Sequence, residues 1–358
     1  MEIRAAVLEA MDAAEPYADS KRLTIETLEF DPPGPGEVLV RIKAAGLCHS
    51  DLSVINGNRP RPMPMALGHE AAGIVEEVGP LEGGGESDLK PGDHVVFVFM
   101  PSCGHCEPCT VGRPALCEPG AAANGAGTLL SGSRRLHRSD GTPVSHHLGV
   151  SAFADYATVS RRSLVKVDQD LPLDEAALFG CAVLTGVGAV FNTANVPPGS
   201  SVAVIGLGGV GLSSLLGAVA AGARQVVAIA RSEHKLAFAR ELGATHTFNA
   251  RDPDAAAQVK AATGGGVEHA IEMAGSTSAL DQAFRITRRG GGTVSGGLSR
   301  AQRHASAVPS HPGRRGANPQ RQLHRDSGAR SRHPALHRAV STRSAAGGPP
   351  DEWHPETR

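Results

Sequence analysis

The sequence predicts an α/β protein in two parts: a small, strongly bent β-barrel carrying loops over residues 1–180, then a doubly wound parallel sheet over 181–298. Three observations predict it. Short β-like runs separated by Gly and Pro crowd the first part (EVLVRIKAAG, AAGIVEEVG, DHVVFVF, ADYATVS, SLVKV), a density of strand and turn signals that suits a small barrel. From Leu173 the period changes, and strand-like and helix-like stretches alternate as in parallel βαβ units. A glycine turn, GLGGVG, joins the first of those strands to its helix. At 358 residues the chain is long enough for two such units, each with its own core.

Composition narrows the function class. Apolar residues make up 41%, charged residues 20%, and the net charge is −1, a soluble globular balance with no overall bias toward nucleic acid or acidic membranes. The N-terminal MEIRAAVLEA has acids where a secretory signal carries a basic flank, so a cytoplasmic location is expected. Val202–Ala230 is the most apolar stretch, but its glycines and Arg224 break it into strand, turn, helix and strand. Reducing conditions keep thiols free, so regularly spaced cysteines point to metal rather than disulfides.

Residues 46–79 place Cys48 about twenty residues before the adjacent pair His69 and Glu70. A thiolate, an imidazole and a carboxylate are donors that zinc selects. Alone, a lone Cys and a lone His read more simply as a half-buried thiol and a loop histidine. The remaining cysteines change that balance. Cys103, Cys106, Cys109 and Cys117 form a C-x2-C-x2-C-x7-C run with turn residues Gly104, Pro108, Gly112 and Pro114. Four thiolates fill a tetrahedral zinc and leave no place for water, which makes that site structural. The same number of sulfurs also serves an iron–sulfur cluster, an alternative that spacing leaves open. His105 is surplus and reads as an exposed loop residue. Cys48 and Cys181 are left over, and with His69 they make a second set of three ligands with one open position, the arrangement of a catalytic zinc.

Between Cys117 and Phe153 the sequence gives little beyond turns. His146 and His147 lie there without a partner at ligand spacing and read as structural. DEAALFGCAVLTGVGAVFNTANV reads as helical with a break near Gly180, carrying Cys181 into the joint between the two parts. In the turn Gly206-Leu207-Gly208-Gly209-Val210-Gly211, the first glycine makes the bend. The second admits a pyrophosphate, and the third lets helix and strand pack closely. The next strand, VVAIA, ends without the acid that takes a ribose 2′-hydroxyl, and Arg231 follows. That favours a 2′-phosphate, hence NADP over NAD, unless Arg231 is only a solvated turn residue. Helix SEHKLAFARELGA, strand THTFNA, helix DAAAQVKAATGGG, strand EHAIEMAG, helix STSALDQAFRIT and strand GGTVSGG complete the alternation.

With these motifs placed, the chain resembles the zinc-dependent alcohol dehydrogenases of the medium-chain dehydrogenase/reductase superfamily over residues 1–298. GLCHSD, GHEAAGIVEEVG, the four-cysteine loop, FGCAVLTG and GLGGVG occur in that family's order, and the long loop ending in FADY resembles its liver-type and formaldehyde-dehydrogenase branch. The resemblance implies a GroES-like β-barrel catalytic domain, a Rossmann doubly wound parallel-sheet domain, two zinc ions, NAD or NADP, an alcohol or aldehyde substrate and a homodimer or tetramer. It implies that Cys48, His69 and Cys181 hold the catalytic zinc, with Glu70 able to enter the shell. Asp51 orients His69, Ser50 takes the alcohol proton, and His49 lies near the pyrophosphate. Where the liver-type proton relay ends in a histidine, this chain has Ser53.

After Leu298 the composition breaks. Residues 299–358 hold 11 Arg, no Lys, 6 His and four acids, a net +7, with only Val308, Leu323, Leu336 and Val340 as aliphatics of the Ile, Leu and Val group. Such a segment cannot bury enough apolar surface to fold alone. It reads either as a basic RNA-binding tail on a non-catalytic zinc protein or as a frameshift near Ser299–Ala301 that has replaced the family ending and left the dehydrogenase impaired.

Overall fold

Why this chain folds as two kinds of sheet follows from where its apolar residues fall, and a computed structural model describes residues 1–81, 87–297 and 321–322. The strands are β1 (Glu2–Leu8), β2 (Leu23–Phe30), β3 (Glu37–Gly46), β4 (Met65–Ala66), β5 (Glu70–Val78), β6 (His94–Phe97), β7 (Leu136–His137), β8 (Pro143–His146), β9 (Tyr156–Ser160) and β10 (Leu164–Lys166). Strands β1, β2, β7, β8 and β4 close into a barrel, and β10, β6, β5, β3 and β9 form a second, five-stranded sheet. The five runs read from the sequence all belong to that second sheet. The barrel is built from strands without a strong sequence signal, two of them in the loop before Phe153, which also contains the helix Glu118–Ala126. These strands are two to four residues long in that loop, too short for alternation to show.

The second part carries β11 (Ser201–Ile205), β12 (Gln225–Ala230), β13 (His246–Asn249), β14 (Val267–Glu272), β15 (Thr287–Ser295) and β16 (Arg321–Gln322), all parallel, in the order β13-β12-β11-β14-β15-β16. Every residue of β11 is buried, as the central strand of a sheet covered on both faces requires. Val204, Ala228 and Ile271 pack on one face and Ala203, Val227 and Ala270 on the other. The expected helices are found at Gly209–Ala220, Glu233–Glu241, Ala255–Ala262 and Thr277–Ile286. Strand β15 starts at Thr287, directly from the preceding helix, earlier than GGTVSGG suggests. Apart from β16, the 299–358 tail lies outside the described residues. No single helix among the described residues is long and apolar enough to cross a membrane.

Candidate metal centres and nucleotide crevice

Three separated segments converge beside β5. Cys48 stands immediately before the short helix His49–Ile55, His69 stands immediately before β5, and Cys181 stands at the break between the 3-10 turn Ala177–Gly180 and the helix Ala182–Gly188. Cys181 Sγ is 3.8 Å from Cys48 Sγ and 3.4 Å from His69 Nε2. Tetrahedral zinc with ordinary Zn–S and Zn–N bonds sets its ligand atoms about 3.5–3.8 Å apart, so these donors fit that ion. Ligand atoms of Cys48, His69, Glu70 and Cys181 all lie within 4.8 Å of one another. Cys181 and His69 are buried and Cys48 is half-buried, toward a wall of Phe99, Leu148 and Met100.

Two glycines make room for this arrangement. Gly68 has φ +92°, and a Cβ there would lie 2.4 Å from Phe153 N, so the residue before His69 is held to glycine by both sterics and conformation. Gly46 faces Glu70 across the β3–β5 pair.

Asp51 is buried in the first turn of its helix. Its Oδ1 accepts from Gly68 N at 3.0 Å and lies 3.2 Å from His69 Nδ1, with Oδ2 at 3.1 Å from the same nitrogen. This contact points His69 Nε2 at the two sulfurs. Burial opposes the charge on Asp51, but His147 and His69 outweigh it and hold the carboxyl below its usual range. The neighbouring Cys181 sulfur draws the Cys48 thiol down to about 3, assisted by His69 against burial. Burial, then the Cys48 charge, pushes Glu70 up to about 7.

The four-cysteine run gathers its sulfurs into a second cluster. Sγ atoms of Cys103, Cys106, Cys109 and Cys117 gather within 4.8 Å, with Cys106 and Cys117 3.8 Å apart. Backbone N–H groups aim at the sulfurs: Cys103 N and Gly120 N donate to Cys117 Sγ at 3.2 and 3.3 Å, and Cys106 N donates to Cys103 Sγ at 3.3 Å. Such donors stabilise thiolate charge. His105 is exposed, as expected, with Nδ1 3.1 Å from Cys103 O.

His146 and His147, both structural by sequence, part ways in the structure. Strand β8 pairs in parallel with β4, Ala66 opposite His146, and successive strand residues point to opposite faces. His146 Nε2 accepts from Arg135 N at 3.1 Å, away from the metal donors. His147 turns the other way, its Nδ1 3.0 Å from Asp51 Oδ1. The signal that finds it is the strand register leading from β4 to Gly68 and His69, which sequence spacing does not reveal.

At the second sheet, the order places the switch point between β11 and β14, the place where such sheets bind nucleotides. Gly206 turns at φ +90°, and a Cβ there would meet Ala274 N at 2.6 Å. Gly211 lies so near Gly206 that a Cβ would stand 1.8 Å from Gly206 O. A Cβ on Gly208 would meet nothing within 4 Å, and Gly208 caps the N-terminus of Gly209–Ala220. Open space before a helix N-terminus fits a pyrophosphate. Gly209 and Val210 open that helix, Arg231 is exposed just past β12, and His49 is exposed beside Cys48.

Comparison with known proteins places the chain among alcohol dehydrogenases. Residues 34–169 match the alcohol dehydrogenase GroES-like domain, and residues 209–315 match the zinc-binding dehydrogenase model. The chain is 39% identical to an alcohol dehydrogenase class-3 of Pisum sativum, over 78% of this chain and 74% of that protein. It is 40% identical to an NDMA-dependent alcohol dehydrogenase of Amycolatopsis methanolica, over 81% and 77%. The solved benzyl alcohol dehydrogenase of Acinetobacter calcoaceticus superposes with a TM-score of 0.80 at 31% identity, covering 96% of this chain and 90% of that one.

Proposed function

The chain belongs to the zinc-dependent alcohol dehydrogenases of the medium-chain dehydrogenase/reductase superfamily, and from that premise we propose how its own residues carry hydride transfer between an alcohol and NAD(P). The carrying observation is the convergence of Cys48, His69 and Cys181 at separations that suit one tetrahedral ion. Zinc held there supplies Lewis acidity to the alcohol oxygen, and the nicotinamide supplies the hydride acceptor.

Ser50, buried with its Oγ 3.7 Å from Cys48 Sγ, takes the alcohol proton and passes it toward the cofactor ribose. The onward path does not use Ser53 as donor, because its Oγ donates to His49 O at 2.7 Å. Water or another group accepts that proton. Asp51 fixes the His69 tautomer, and Glu70 stands beside the ligands as a carboxylate able to join them. Phe99, Leu148 and Met100 line the approach with apolar surface that excludes water. Gly206, Gly208, Gly209, Val210 and Gly211 cradle the pyrophosphate, and exposed His49 approaches it. Arg231 in place of an acid after β12 favours NADP. The other sulfur cluster, Cys103, Cys106, Cys109 and Cys117, holds the structural zinc. The enzyme works in the cytoplasm on a small alcohol or aldehyde, and its family implies a dimer or tetramer.

The 299–358 tail is a frameshifted ending in this reading, because its eleven arginines and scarce aliphatics break with the preceding chain. Resequencing the gene decides this: a single-base change near Ser299–Ala301 restores an ending like that of the relatives.

The test of function is zinc content with NAD- and NADP-linked turnover across a panel of alcohols, for this chain and a frame-restored version. Two zincs and turnover in the restored version support the reading. One zinc and salt-sensitive RNA binding without turnover sink it in favour of a binding protein.

A further inference from the structure

His147 is buried to 1% exposure and takes no part in the mechanism above. Its Nδ1 lies 3.0 Å from Asp51 Oδ1 without hydrogen-bond geometry, so that the carboxylate that meets His69 and the Gly68 amide has a second imidazole in close electrostatic contact. Its ring meets the His69 ring edge-on, with centroids 5.3 Å apart at 87°. Phe99 meets His69 in the same way, at 5.9 Å and 89°. His69 thus meets two rings edge-on while Asp51 contacts its Nδ1. The His147 backbone is itself fixed, its N–H reaching Ser151 Oγ at 2.9 Å and Ala66 O at 3.3 Å. The turn that follows holds Leu148 and Ser151 at φ +53°, an arrangement non-glycine residues adopt only under constraint.

We propose that His147 is a positioning residue for the metal ligand His69: it anchors the Asp51 carboxylate and braces the His69 ring, so that Nε2 stays aimed between Cys48 and Cys181. This rests on the reading that those three residues hold a zinc. A buried carboxylate keeps the orientation its polar neighbours favour, and with the His147 ring nitrogen removed it loses the one 3.0 Å from Oδ1. Partners that orient metal-bound histidines typically change affinity by about 10–100-fold. An imidazole gripped from one side only holds its direction less well.

The experiment compares the full chain with His147→Phe and His147→Asn. Phenylalanine keeps the ring but has no N–H, whereas the asparagine amide reproduces a donor near the Nδ1 position. Zinc per chain, chelator-driven zinc release and the visible spectrum of the cobalt(II)-substituted protein are read for each, the four-cysteine zinc serving as the internal control. The expected result is two zincs in the parent and about 10-fold faster release of one of them in His147→Phe. The cobalt spectrum shifts in that variant and returns toward the parent in His147→Asn, with the four-cysteine zinc unchanged throughout. Release and spectrum unaltered in His147→Phe overturn the proposal, as does equal damage in both variants, which means bulk packing alone. A third zinc per parent chain also overturns it, since Asp51, His69 and His147 are then ligands themselves. A parent that binds only the four-cysteine zinc sinks the underlying metal reading instead.

Discussion

Gly46 and Glu70 face each other across the β3–β5 pair so closely that a Cβ on Gly46 would stand 2.9 Å from Glu70 Oε1 and 3.0 Å from its Cγ and Cδ. The first prediction follows from that contact. Gly46→Ala needs no unusual backbone, so its burden falls on the flexible end of Glu70, which is displaced from the three metal donors. Thermal stability is expected to change by about 1 kcal/mol or less. Turnover falls by about 10-fold, with zinc content intact. Steady-state kinetics beside zinc analysis check this, and unchanged kcat shows that the Glu70 position is immaterial.

Two glycines of the nucleotide turn, Gly208 and Gly211, separate folding from binding. Gly211→Ala drives a Cβ to within 1.8 Å of Gly206 O, forcing the helix Gly209–Ala220 off β11 at a cost of about 2 kcal/mol or more. Gly208→Ala enters open space and leaves stability within about 0.5 kcal/mol. It fills the cradle, however, so NAD(P) affinity drops by 10-fold or more, on the order of 1.4 kcal/mol. Chemical denaturation and cofactor titration of the two variants give opposite patterns if the cradle is real, and matching patterns if it is not.

The four-cysteine cluster has a thermodynamic test of its own. Cys106→Ser removes one of the four sulfurs proposed to hold a zinc that organises the loop 103–117. The variant is expected to carry one zinc fewer and to melt several degrees lower, about 2–4 °C for each kcal/mol lost. Retention of both zincs and of the melting temperature argues that this loop folds without metal.

How much of this was legible depended on whether the information was local. The cysteine spacing, GHE and the glycine turn are short patterns whose chemistry fixes their meaning, and the structure gathers the residues of each metal set. The parallel sheet was legible because β11 and β12 are continuous apolar runs after their first residues, Ser201 and Gln225. The barrel was not, since β4 and β7 have two residues each and owe their pairing to distant partners. His147 escaped for the same reason: nothing near it in sequence marks it, and Asp51 is 96 positions away. Gly46 escaped as well, because its role is the space it leaves for Glu70 rather than a turn.

Acid should weaken the fold through His146. Burial first, and then the cations Arg134, Arg135 and His137, push its pKa down to about 3. The unfolded value is about 6.5. Between those limits the unfolded chain carries a proton that the folded chain refuses, so stability rises with pH in that window. The contribution is complete above about 6.5 and is lost as pH falls toward 3, at up to about 1.4 kcal/mol per pH unit. His146→Gln removes the titrating group and keeps an acceptor for Arg135 N, which His146 Nε2 now serves. Between pH 7 and pH 5 the parent should therefore lose about 2 kcal/mol more stability than this variant. Urea unfolding at the two pH values measures the difference, and it cancels the carboxylates common to both proteins, including the Asp31–His137 pair. Equal losses mean that His146 takes up its proton without unfolding, and that water reaches it inside the barrel.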